Sequence, residues 1–90
     1  MKPYRILLVV RNPIGGIRTF LRYIYAHFDA AKYQFWLIAP SLPETGLLLN
    51  DLAPLHLTYL PVPPDITTME LLWVTTKVIR QNGVEFVHSH

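Results

Sequence analysis

Apolar residues in this chain are grouped into short runs separated by turn formers, and the period inside the runs alternates between strand and helix. Ile6-Leu7-Leu8-Val9-Val10 is unbroken and aliphatic, the pattern of a strand covered on both faces in a parallel sheet. It stops at Arg11-Asn12-Pro13. Gly15-Gly16 then opens a segment in which Ile17, Phe20, Leu21, Ile24 and Phe28 recur at helical spacing, which predicts an amphipathic helix of about three turns with Arg18, Arg22 and Asp29 on its wet side. Tyr33 to Ala39 is aromatic and branched and meets Pro40, so it predicts a second strand. A short helix is expected from about Gly46 to Ala53. Leu55 to Leu60 alternates apolar with polar or amphipathic side chains, as a third strand does, with Pro61, Pro63 and Pro64 expected to close it.

The next helix carries its own punctuation. Thr67-Thr68-Met69-Glu70 has capping-box spacing, and Asn82-Gly83 supplies a left-handed stop. Met69, Leu72, Trp73, Thr76 and Ile79 mark one apolar face, and Leu71, Val74 and Val78 add others, which predicts burial on more than one side. Trp73 and Trp36 are both expected in the core. Val84 to His90 forms the fourth strand. Alternation of strand and helix throughout gives the fold class: α/β, a Rossmann-like parallel sheet built βαβαβαβ with strand order 3-2-1-4. The winding then reverses between the first and fourth strands, and ligands of such sheets bind outside the carboxyl ends of the strands at that reversal.

Composition narrows the function classes. With 51% hydrophobic residues among 90, there is material for one small folded domain. Eight basic against six acidic side chains leave a formal charge of +2, short of the basic stripe that phosphate-backbone binding needs, so no nucleic acid partner is expected. No cysteine is present, which removes disulfides, thiolate metal sites and thiol nucleophiles. The apolar run after Lys2 and Arg5 is shorter than the roughly 7 to 15 residues of an export signal, and a cytosolic start is expected. Arg18 and Arg22 on the first helix are too few for stable anchoring, so any membrane contact is at most peripheral.

Two features converge on the expected crevice. Gly15-Gly16 follows the first strand at the N-terminus of the first helix, where free backbone N–H groups and the helix dipole favour an anion such as phosphate. Arg11 and Arg18 add charge there, as phosphate or acceptor contacts. The other reading of the pair is a tight turn that needs only positive φ. The dinucleotide fingerprint GxGxxG is missing, which counts against a nicotinamide or flavin enzyme. His88 and His90 are two apart on a strand and share a face at its carboxyl end. They can donate hydrogen bonds to a ligand or act as acid or base near neutral pH; alternatively, each packs against neighbouring loops. Two ligands with no carboxylate or cysteine beside them do not make a metal site, so none is expected. His27 and His56 have no partner in the pattern, and a solvated or core-edge position suits both.

Taken together, the strand followed by Pro13-Ile14-Gly15-Gly16-Ile17-Arg18-Thr19 and the fourth strand ending Glu85-Phe86-Val87-His88-Ser89-His90 resemble the start of a retaining glycosyltransferase of family 4 (group 1), which has the two-domain GT-B fold. The resemblance spans all 90 residues but only the front of such an enzyme, a partial N-terminal domain without the C-terminal nucleotide-binding domain. It implies that Gly15 and Gly16 touch the donor diphosphate through backbone N–H, and that His90 contacts the donor sugar and is the catalytic histidine. His88 would line the site. Arg18 stands where many members carry an acidic residue. The implied reaction is sugar transfer from a nucleotide-sugar donor to an acceptor with retention, with no cofactor and no metal, and the 90 residues alone are expected to be inactive. The alternatives are a stand-alone Rossmann-like binding or interaction module, or a different GT-B enzyme, an epimerase or an inverting transferase. A fourth strand left as a sheet edge also predicts self-association of this chain.

Overall fold

The computed structural model describes residues 4–11, 32–53 and 57–89. In chain order these form β1 (Tyr4–Val9), β2 (Tyr33–Pro40), α1 (Pro43–Asp51), β3 (Leu57–Val62), α2 (Thr68–Asn82) and β4 (Phe86–Ser89). The strands make one parallel sheet in the order β3-β2-β1-β4, the architecture expected from the alternating pattern. The first helix expected, over 17–28, lies outside the described residues.

The alternation of side chains along each strand divides the core in two. Ile6, Leu8, Val10, Phe35, Leu37 and Ala39 point to one face and meet Leu48 of α1 and Leu52, the residue that caps it. Leu7, Val9, Trp36, Ile38 and Val62 point to the other and meet Val78 of α2. Both faces of β1 and β2 are therefore dry, which is why their sequences show no polar period. Fully burying each of these large side chains contributes roughly 1.5 to 3 kcal/mol.

Several boundaries differ from expectation for local reasons. Helix α1 begins at Pro43, three residues before Gly46, because proline fits the first helical turn, where its missing N–H has no intrahelical partner and its φ is already helical. Strand β3 runs on through Pro61 to Val62 instead of stopping at Leu60. Ser41 N donates to the Val62 carbonyl at 3.1 Å, so Val62 turns its backbone groups toward β2 and Pro61 turns toward the open edge, where the lost N–H breaks no ladder bond. Strand β4 starts at Phe86, two residues later than expected, because Val84 still belongs to the end of α2 and Glu85 makes the first bond to β1. Val84 N donates to the Ile79 carbonyl at 3.2 Å and closes the helix end, while Glu85 N donates to the Arg5 carbonyl at 2.9 Å.

Helix α2 has the ends its sequence specifies. Thr67 Oγ1 accepts from Glu70 N at 3.1 Å, and Glu70 Oε1 accepts from Thr67 N at 3.3 Å. Gly83 takes the left-handed conformation, φ 61° and ψ 41°. Its buried face is not the one expected. Leu71, Val74 and Val78 turn to the sheet, whereas Met69, Leu72 and Trp73 are 75%, 59% and 66% exposed. Ile66 before the helix and Val84 after it pack into the same cluster as Val78, so the chain enters and leaves α2 on that side and fixes the helix's rotation. Trp36 is in the core as expected; Trp73 is not. No helix among the described residues is long and apolar enough to cross a membrane.

Candidate functional site at the carboxyl ends of β1 and β4

Strand β1 lies between β2 and β4, and its register with β4 runs from Ile6↔Phe86 to Val9↔Ser89. The two strands thus end side by side. Because α1 covers one face of the sheet and α2 the other, the direction of winding changes at this pair, and the strand tips are where an open parallel sheet leaves a crevice. The segment that leaves β1 leads to Gly15, Gly16 and Arg18, and the residue after Ser89 is His90. Those four lie outside the described residues; His27 and His56 do as well.

Arg11 and His88 are the two expected site residues within the described part. Val10 N donates to the Ile38 carbonyl at 2.9 Å and extends the pairing with β2 one residue past the end of β1. The exposed Arg11 then reaches over the α2 side. Its Nη1 donates to Thr68 Oγ1 at 3.1 Å and its Nη2 to the Ile66 carbonyl at 3.2 Å. Arg11 therefore ties the β1 tip to the segment entering α2. His88 is half-buried and pairs in register with Leu8, which sets it on the opposite face of the sheet, the one that α1 covers. Arg11 and His88 are accordingly on different sides of the strand tips.

The α2 side of the tips carries a feature that sequence reading did not single out. Val9, Leu71, Leu72 and Val87, with the hydroxyl residues Thr68, Thr75 and Ser89, line a depression of about 300 Å³. Thr75 Oγ1 donates to the Leu71 carbonyl at 2.8 Å, leaving its lone pairs to accept. Chemically the depression suits a small group with an apolar body and a few hydrogen-bonding positions. The seven-residue spacing of Thr68 and Thr75 places both on one side of a helix, but their meeting with Ser89 depends on how α2 crosses the sheet. At the neighbouring tip of β2, Tyr59 Oη donates to the Ala39 carbonyl at 3.3 Å, and Thr45 Oγ1 donates to the Pro40 carbonyl. These bonds fix the rim of the crevice on its β2 side.

No protein-family model matches this chain, and no curated protein matches it.

Proposed function

We propose that this chain is the front part of the N-terminal domain of a retaining glycosyltransferase with the GT-B fold, and that its contribution to the reaction is made at the tips of β1 and β4. The observation that supports this reading most directly is the adjacency of those strands, ending at Val9↔Ser89 in register. From neighbouring tips, backbone N–H groups at Gly15 and Gly16 stabilise the donor diphosphate as negative charge grows on the departing group. His90 donates a hydrogen bond to the transferring sugar. Arg11, held against Thr68 and Ile66, positions the β1 tip, and Arg18 adds positive charge. The nucleotide sugar is a substrate, the acceptor binds on the same side of the crevice, and the protein works in the cytoplasm without a metal or cofactor. A second domain supplies the nucleotide-binding groups, so the 90 residues alone do not turn over.

The test is a two-dimensional NMR titration of the chain with a nucleoside diphosphate sugar and, separately, with inorganic pyrophosphate. Gly15 and Gly16 amides are expected to shift with both, and His90 with the sugar nucleotide alone. In the full-length protein, His90→Ala is expected to lower kcat far more than it raises the donor KM, since a bond to the transferring sugar matters most in the transition state. Unmoved glycine amides together with unchanged turnover in the variant would transfer the chain to the stand-alone binding modules.

A further inference from the structure

We infer that the outward face of α2 docks on the surface of an anionic phospholipid bilayer. The inference does not rest on the glycosyl-transfer reading, and of the residues it uses only Leu72 also lines the depression at the strand tips. At about 100° per residue, Met69, Trp73, Thr76 and Arg80 fall within about 60° of one another on the helix, with Leu72 and Lys77 at the borders of the stripe. This stripe lies opposite Val78, which is buried against the sheet. The N-terminal half of the stripe is apolar and projects into solvent: Met69, Leu72 and Trp73 are all exposed. The apolar surface continues onto Pro61 and Pro63, which with Met69 and Trp73 line one open groove. The C-terminal half is cationic. Lys77 Nζ sits 5.3 Å from the centre of the Trp73 ring, Arg80 follows three residues later, and Glu70, the only acidic residue of the helix, is held in the capping box.

The combination of these groups on one face selects the occupant. A helix face that carries both projecting apolar and basic side chains suits a membrane interface. Its projecting apolar side chains enter the acyl boundary, the tryptophan sits at headgroup depth, and the basic side chains reach the lipid phosphates. Among the described residues neither Lys77 nor Arg80 has a carboxylate partner, and anionic lipid headgroups would complement both. Burial of exposed apolar area and attraction to anionic headgroups act together here, which gives the interaction a defined dependence on both lipid charge and salt.

The experiment uses the purified 90-residue chain with extruded vesicles of phosphatidylcholine, alone or mixed with phosphatidylglycerol. Co-sedimentation is expected with the mixed vesicles and not with the neutral ones, weakening as salt rises. Trp73 emission is expected to shift to the blue while buried Trp36 stays silent, so Trp73→Phe abolishes the shift. Lys77→Gln with Arg80→Gln is expected to weaken partition about thirtyfold, from roughly 1 kcal/mol per basic side chain near an anionic surface. Met69→Ser with Trp73→Ser is expected to weaken it about tenfold or more. All four positions point away from the core, and far-UV circular dichroism verifies that each variant is folded. Absence of binding to both vesicle types overturns the inference and leaves the stripe to a protein partner. Equal binding to neutral and anionic vesicles, or binding indifferent to either pair of substitutions, overturns it as well.

Discussion

Arg5 and Gly83 are far apart in sequence and meet at the C-terminal end of α2. Arg5 Nη1 donates to the Asn82 carbonyl at 2.8 Å, satisfying one of the carbonyls that a helix leaves open at its end and placing a cation at the negative end of its dipole. Gly83 fills two requirements at once. Its φ of 61° is one that a side chain opposes, and a Cβ there would lie 2.7 Å from Arg5 Nη1. Gly83→Ala is therefore expected to destabilise the fold by about 1 to 2 kcal/mol from the backbone alone, and further because Arg5 must withdraw. Urea unfolding of Gly83→Ala in the native and Arg5→Ala backgrounds separates the parts: the penalty should be smaller in the second. Equal penalties would mean that Arg5 yields freely. The helix stop at Asn82-Gly83 was legible from residue types, but its arginine partner was not, since Arg5 approaches only once β1 and α2 are packed.

At the scale of elements, α2 shows how far local sequence reaches. Its capping box and left-handed stop are determined by residues within one turn of each end, and both form as expected. Thr67→Ala removes the acceptor for Glu70 N and the reciprocal support of Glu70, and is expected to cost about 1 kcal/mol, read as a lowered urea midpoint with an unchanged slope. Thr67→Asn, which also caps, should recover most of it. Which side of the helix is buried was not legible. The sequence offers two apolar stripes at helical spacing, and only contact with the sheet through Ile66, Val74, Val78 and Val84 distinguishes them. Pro61 is a similar case. A proline ends a strand or lies on its open edge, and the choice is made by which strand pairs with β3 and from which side.

For the whole molecule, the sheet order places β3 and β4 at its edges, and the two edges differ. Strand β3 carries Pro61 with its missing donor turned outward, a device that discourages further pairing. Strand β4 carries Phe86 and Val87, which are 56% and 48% exposed on opposite faces, and no described strand flanks it beyond β1. The 90-residue chain is expected to associate with itself as concentration rises, and Phe86→Lys, which adds edge charge, is expected to reduce this; light scattering over a wide concentration range measures both. A single monomeric species throughout would show that the β4 side is protected. The sequence by itself determined the alternation of elements, the parallel sheet and its order, because unbroken aliphatic strands separated by crossovers of this length have few ways to bury both faces. The expectation of chemistry at the tips of β1 and β4 follows from that order and awaits the titration and kinetics proposed above. Only the tertiary structure decided that Arg11 binds Thr68 and Ile66, that Thr68, Thr75 and Ser89 share one depression, and that Met69, Leu72 and Trp73 face outward. Each of these depends on the rotation and crossing of α2 over the sheet, and that rotation is set by contacts between residues distant in sequence, which no local period encodes.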